Sequence, residues 1–528
     1  MEALMTNNKL TVLCIIDGWG VAAPYNGNAV TEADLPNINK IISQYPVTTL
    51  EAGGEAVGLE EGLAGNSRQG HFVIGTGQRA DSDLLRINNA IRDKTFFKNK
   101  ILKEAVRHAE KNNSSIHILG LVSEDKIHSS FSHLLSLMDF FKKRKEQKIY
   151  LDLIISEEES SLNLLREIQQ KADKYENIEI ATISGSFYAM DGYGNWDRTI
   201  KFYQALAEGE CKNKFDSISK AVEFYNNNKK IAASGIIPTV LIKNSRPVAT
   251  VKEKDVLIFF NFNPRGMGQI VQAFSLPSLA KFPERKKYFP DLFIACMTEY
   301  EKYLPVKVIF DHPEINATLN KILAENSKKQ LFITETEKYP YLNYFFNGFQ
   351  YFFNGGDNRI LISAEPTKDV YGSQEISAEK ITAVAIKEIK KGAYDFIALN
   401  YGSADILADS GKLEAVIAGL KAIDKNIGNL RKVVLSVGGT LIITSSHGNC
   451  EEMVSRHSEE MNEKNTNNPV PFILANNNLE GISLNKADAA GIDLSDLKPT
   501  GSLLDIAPTI LKIMGIKKPD EMEGKSLL

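Results

Sequence analysis

Leu10-Thr11-Val12-Leu13-Cys14-Ile15-Ile16-Asp17-Gly18-Trp19-Gly20 is the stretch that sets the fold class. From Leu10 to Ile16 no residue carries a charge, and the run stops abruptly at Asp17-Gly18. A strand with one wet face alternates apolar and polar residues. A continuous apolar run of strand length predicts a strand covered on both faces, as in a parallel sheet flanked by helices. An acid directly after such a run falls at the strand's carboxyl end, where open parallel sheets assemble their ligand sites.

The same pattern recurs outward from this segment. Residues 116–121, 149–155, 178–183, 255–261, 331–334, 396–400, 440–444 and 470–474 read as further strands of a parallel sheet. Segments of helical period separate them at 31–44, 102–111, 161–175, 197–207, 378–390 and 413–432. Strands alternating with helices predict an α/β protein. Asp17, Asn261, Asp405 and His447 each stand just after an apolar run, so the chemistry is expected at one edge. The polar stretch 75–83 and the mixed segment 300–312 are candidate boundaries, which makes the middle of the chain an insertion into a discontinuous outer domain.

With 528 residues the chain is too long for one core, so two or three domains are expected. Composition is that of a globular protein, 43% hydrophobic and 24% charged with 36 Gly and 18 Pro. A net charge of −4 gives no general field for nucleic acid or an anionic membrane. Apolar runs such as 256–260 fall far short of the ~20 residues of a membrane span, and the N-terminus does not read as a signal peptide. Cys14, Cys211, Cys296 and Cys450 lie far apart without a CxxC spacing. They read as reduced thiols in a cytoplasmic protein. Trp19, Trp196 and Cys450 read as packing residues, and His133 as a helix-face residue without chemistry.

Ordered motifs run nearly end to end: Ile15-Ile16-Asp17-Gly18-Trp19-Gly20, Tyr25-Asn26-Gly27-Asn28-Ala29-Val30, Glu55-Ala56-Val57-Gly58-Leu59, and Gly65-Asn66-Ser67 with Gly70-His71. Trp196-Asp197-Arg198, Thr334-Glu335-Thr336-Glu337-Lys338-Tyr339-Pro340, Ser446-His447-Gly448-Asn449 and Asn468-Pro469-Val470-Pro471 follow. On these motifs the chain resembles cofactor-independent phosphoglycerate mutase of the alkaline phosphatase superfamily. The resemblance implies an alkaline-phosphatase-like domain at 1–81 and 314–528, with an inserted α/β transferase-like domain at 82–313 that closes over substrate. It also implies interconversion of 3- and 2-phosphoglycerate through a phosphoserine, with two Mn²⁺ ions between the two domains.

Carried onto this chain, the resemblance places the nucleophile at Ser67. One metal would lie on Asp17, Ser67, Ser446 and His447, the other on Asp405, Asp409 and Asn465. Ser446 stands where the family has Asp, and Asp409 and Asn465 stand where it has His. A neutral hydroxyl is a weak ligand for a divalent cation. An all-oxygen Asp405/Asp409/Asn465 set suits a hard ion such as Mg²⁺ or Ca²⁺. The expectation is weak or single-metal binding, or no metal at all.

The family's arginine clamp for phosphate and carboxylate is largely gone. Glu157-Glu158-Glu159 crosses one arginine position, Ser186 and Gly192 occupy two more, and Asn263-Pro264-Arg265-Gly266 replaces Arg-Pro-Asp-Arg. Losing even four of these five charge-assisted partners, at roughly 1.5–3 kcal/mol each, removes on the order of 6–12 kcal/mol if the terms added. His128 and Lys338 remain as matched substrate-contacting residues, Tyr341 replaces a histidine, and Arg68-Gln69 replaces Glu-Val beside Ser67.

The leading expectation is a pseudoenzyme: a mutase-like protein whose standard activity is lost or severely reduced, kept for binding a phosphorylated metabolite or protein partner. Two alternatives stay open, an active mutase with an altered metal set, and a phosphatase or phosphotransferase of changed specificity. A monomer without nucleic-acid or membrane partners is expected.

Overall fold

The structure, a computed structural model, describes residues 10–124, 126–156, 161–228, 232–279, 285–351, 357–363, 370–455, 460–462, 464–482 and 493–528. By its internal contacts the chain divides into two compact units, Met1–Ser82 with Pro313–Leu528, and Asp83–His312.

The first unit is built on an eight-stranded sheet ordered Asp357–Ile362, Gln330–Glu335, Phe396–Tyr401, Thr11–Ile16, Thr440–Thr444, Val470–Ala475, Val47–Glu51 and Gly501–Ser502. The opening strand pairs in parallel with Phe396–Tyr401 on one side and Thr440–Thr444 on the other. Its alternate residues feed two separate cores: Val12, Cys14 and Ile16 pack on one face, and Leu13 and Ile15 on the other. That division explains the missing alternation. Both faces are dry, so both sets of side chains must be apolar, and each fully buried Val, Leu or Ile contributes about 1.5–3 kcal/mol.

The second unit carries a nine-stranded sheet whose main path is Lys307–Val308, Phe293–Cys296, Val256–Phe259, Ile116–Val122, Ile149–Ile155, Ile178–Gly185, Thr239–Lys243 and Asn213–Phe215. Its core gathers Leu119, Leu121, Ile154, Phe202, Phe259 and Phe274.

Three elements depart from the sequence reading. The helix expected at 31–44 is two helices, Ala29–Glu32 and Pro36–Gln44, because Pro36 offers no N–H to continue the first and is suited to open the second. The strand at Val470–Ala475 runs antiparallel to both neighbours, although its continuous apolarity read as parallel. Apolarity on both faces reports burial and is silent about direction. Finally, Gly75 and Thr76, read as the start of a boundary, are the last residues of the helix Ser67–Thr76.

Candidate active site

Four parallel strands of the first unit deliver polar residues at their carboxyl ends. Asp17 follows Thr11–Ile16 directly, its N–H donating to the Tyr401 carbonyl at 3.1 Å. Asp405 lies in the short helix Ser403–Ala408 after Phe396–Tyr401. Ser446 and His447 follow Thr440–Thr444, and Lys338 closes the 3-10 turn after Gln330–Glu335.

Ser67 is the first residue of a helix capped by Asn66, whose Oδ1 accepts from the Gln69 N–H at 2.9 Å. Gly70, one turn on, lets that helix lie against the 445–447 loop, since a Cβ there would stand 2.1 Å from the Ser446 carbonyl oxygen. The same loop is held from behind by buried Glu451, which accepts from the N–H groups of Gly20 at 3.0 Å and Asn449 at 2.9 Å.

At the centre stands the ammonium of Lys338. Its Nζ lies 2.6 Å from Asp405 Oδ2, 3.1 Å from Asp17 Oδ2 and 3.2 Å from Ser67 Oγ. The other carboxylate oxygens are also engaged. Ser446 Oγ donates to Asp17 Oδ1 at 2.6 Å and lies 2.8 Å from His447 Nδ1. His447 Nε2 is 3.1 Å from Asp405 Oδ1, and Asn449 Nδ2 donates to the same oxygen at 3.2 Å. His71 rests its Nδ1 on the Ser67 carbonyl at 2.8 Å and places Nε2 3.7 Å from Asp17 Oδ1.

These contacts decide the charge states. Burial would raise the pKa of Asp17 and Asp405, but the Lys338 charge together with His447, and with His71 at Asp17, outweighs it, so both sit below the ordinary carboxylate value, Asp405 well below. Burial works against the Lys338 charge as well, and Asp405 and Asp17 more than offset it, holding the ammonium well above the ordinary lysine range. His447 is raised by Asp405 against its burial, whereas burial lowers His71. Lys338 is the cation that the two carboxylates of this cluster share.

Not every site residue of the sequence reading joins it. Asp17, Ser67, Asp405, Ser446 and His447 converge, all of them buried. Asp409 is exposed at the end of the helix Ser403–Ala408, outside the buried group. Asn465 sits at the rim, half-buried, its Nδ2 donating to the Gly65 carbonyl at 2.9 Å and its Oδ1 accepting from Asn449 at 3.3 Å. Lys338, read as a substrate contact, lies beside Asp17, Ser67 and Asp405.

Asn449, His71 and Tyr341 also belong to the cluster, the Tyr341 ring centroid lying 5.1 Å from Lys338 Nζ. The sequence offered a signal for His71, since Ser67 and His71 are four apart on one helix face. Tyr341 was marked by its place three residues after Lys338, where the resemblance has a histidine.

The second unit holds the remaining positions. His128 is half-buried after the strand Ile116–Val122, its carbonyl accepting from the Asn263 N–H at 3.1 Å. Arg265 is exposed, its N–H donating to Asn263 Oδ1 at 3.1 Å. Arg198 turns onto its own unit: its guanidinium stacks 3.8 Å from the Phe187 ring centroid and bonds Asp191 Oδ2 at 2.9 Å. Glu157, Glu158 and Glu159 lie outside the described residues.

A divalent ion requires anionic oxygens and imidazoles free to close on it. Here the oxygens of Asp17 and Asp405 are engaged by Lys338, Ser446, His447 and Asn449, and Ser446 offers only a neutral hydroxyl. Among the described residues no group of three or more His, Cys, Asp or Glu is arranged to hold a metal. In this arrangement the residues do not fit a two-metal centre.

A family model described as "BPG-independent PGAM N-terminus" matches residues 87–302. The 2,3-bisphosphoglycerate-independent phosphoglycerate mutase 1 of Methanosarcina acetivorans is 35% identical over 523 residues, covering 98% of each chain. The corresponding mutase of Clostridium perfringens is 36% identical over 527 residues, 99% of each. Among solved structures, Leishmania mexicana phosphoglycerate mutase at low cobalt concentration matches with a TM-score of 0.77 and 21% identity, covering 98% of this chain and 97% of that one. At that identity the match speaks to the fold.

Proposed function

The chain belongs to the 2,3-bisphosphoglycerate-independent phosphoglycerate mutase family, and we propose that within it this member has lost, or nearly lost, the interconversion of 3- and 2-phosphoglycerate. Its retained role is binding or regulation, through a phosphorylated metabolite or a protein partner. The observation that carries this reading is the state of Ser67. A serine attacks phosphorus only when something takes its proton and something cationic meets the developing charge. Lys338, 3.2 Å from Ser67 Oγ, is an ammonium held above its ordinary pKa, so it donates to the hydroxyl and cannot deprotonate it. Asp405 Oδ2, a carboxylate oxygen within reach at 3.4 Å, is itself paired to Lys338 and stays ionised, a weak base.

The clamp positions support the same reading. Ser186, Gly192, Asn263 and Gly266 offer no guanidinium, and Arg198 is committed to Asp191 and Phe187. We also place the protein in the cytoplasm as a monomer; among the described residues no helix is long and apolar enough to cross a membrane.

A coupled assay of 3-phosphoglycerate to 2-phosphoglycerate on metal-stripped protein, titrated with Mn²⁺, Mg²⁺ and Co²⁺, tests the proposal. Turnover at background with every metal, unchanged in Ser67→Ala, is expected. Rates in the ordinary enzyme range of ~1–10³ s⁻¹ with any of them would overturn it.

A further inference from the structure

One run of the second unit reverses the sign of the chain's net charge of −4: Lys142-Lys143-Arg144-Lys145-Glu146-Gln147-Lys148, five basic residues and one acid. It joins the helix Phe131–Phe141 to the strand Ile149–Ile155, at the amino end of that unit's sheet. His128 lies at the other end, after the strand Ile116–Val122 that pairs in parallel with Ile149–Ile155. The run is held as an arch. The buried Asn177 side chain donates to the carbonyls of Phe141, Arg144 and Gln147 at 3.3, 3.0 and 3.2 Å. Gln147 is turned inward, whereas Lys143, Arg144, Lys145 and Lys148 are exposed. Lys142 is engaged by Asp139 at 3.0 Å and by the Tyr175 ring, and Lys145 meets Glu176 at 3.4 Å with both ends largely in water. Among the described residues no hydrogen bond or ion pair engages the side chains of Lys143, Arg144 and Lys148. Like charges held side by side oppose folding, so the arch gains a counterpart only from outside the unit.

We propose that this arch is a docking surface for an acidic polypeptide segment, a short stretch of Asp and Glu side chains on a protein partner. Carboxylates accept charge-assisted hydrogen bonds from guanidinium and ammonium groups, and a backbone fixed beforehand lowers the ordering cost of binding. The surroundings favour a short segment. Asp139 and Glu176 stand beside the arch and Glu146 within it, so a long uniform polyanion meets like charge there. The run also holds no ring for stacking a base and no apolar wedge for a bilayer. The proposal names a partner class for the binding role above and rests on that reading for its purpose. Peptide binding and mutase turnover are read in separate assays, so each can fail alone.

The test uses the full chain and a fluorescein-labelled octapeptide of Asp and Glu, read by fluorescence anisotropy. Saturable binding of one peptide per chain is expected, weakening as salt rises from about 50 to 200 mM. Lys143→Glu, Arg144→Glu and Lys148→Glu combined are expected to weaken binding about tenfold or more at an unchanged melting temperature. Lys40→Glu, Lys421→Glu and Lys432→Glu, the same change of charge at exposed lysines of the first unit, are expected to leave it within about twofold. If the arch reversal melts early, Lys143→Gln, Arg144→Gln and Lys148→Gln together replace it, with a loss of about threefold or more expected. No saturable binding by wild type, or an equal loss in the arch and first-unit variants, would overturn the proposal. So would tighter binding of oligouridylate, or of vesicles of phosphatidylserine and phosphatidylcholine, through the same three residues, which would make the partner a nucleic acid or a lipid surface.

Discussion

Two polar regions of this chain differ in how deeply their side chains are buried. At the sheet edge of the first unit, Asp17, Asp405, His447 and Lys338 are buried and each has charged or hydrogen-bonded partners. In the second unit, the clamp positions Gly192 and Arg265 are exposed, Ser186 is half-buried, and Phe187 and Tyr193 beside them are exposed hydrophobics. The difference teaches what burial enforces. A surface guanidinium contributes little to folding, so it can be replaced by serine, glycine or asparagine at small cost. A buried carboxylate cannot lose its cation without a replacement. On the proposed reading, a clamp at such exposed positions is lost at small cost to folding, whereas the carboxylates of the centre still require a cation beside them.

Removing that cation should produce the largest effect. Lys338→Met in chelator leaves Asp17 and Asp405 facing each other, and a loss of about 3–5 kcal/mol is expected in urea unfolding. Metal-free stability within error of wild type would show that the two carboxylates do not need the ammonium.

A carboxylate on the same edge sharpens the contrast. Glu335 ends the strand Gln330–Glu335, and burial, outweighing the Lys338 charge, raises its pKa from 4.5 to about 7. A carboxyl raised in the folded state binds its proton more tightly there than in the unfolded chain. Stability is therefore fullest below about pH 4.5 and declines as pH rises to about 7, by up to about 3 kcal/mol. Glu335→Gln should remove this decline, seen as a flatter difference between unfolding curves at pH 5 and pH 8. An unchanged difference would mean that Glu335 is compensated like Asp17.

Ser446→Ala comes next. It deprives Asp17 Oδ1 of its 2.6 Å donor inside the core, at a cost of about 1.5–3 kcal/mol in the same measurement. Arg198→Ala, in the second unit, should cost no more than about 1 kcal/mol, since Arg198 is 34% exposed and the buried Asp191 keeps its donors from Tyr193 and Asn195. A larger loss there than at Ser446 would invert the comparison.

Much of this was legible in advance. Thr11–Ile16, Phe396–Tyr401 and Thr440–Thr444 are dry on both faces, and a dry strand writes its burial into every residue. Asp17, Asp405 and His447 stand where the strands stop, so the site's edge could be read as well. The split at Pro36 was available in principle, from a residue that cannot continue a helix. The direction of Val470–Ala475 was not, because pairing partners lie in other segments.

By itself, the sequence determined the α/β class and the family, and it singled out Asp17, Ser67, Asp405, Ser446 and His447 as candidate members of one site. Each of those is carried by local residue identity. Only the tertiary structure decided that Lys338, which reads as a substrate contact, stands between Asp17 and Asp405, and that Asp409 faces solvent while Ser446 is sealed inside. Those outcomes depend on where the ends of separate strands meet and on the balance of buried charge there, a sum over segments that no single stretch of the chain contains.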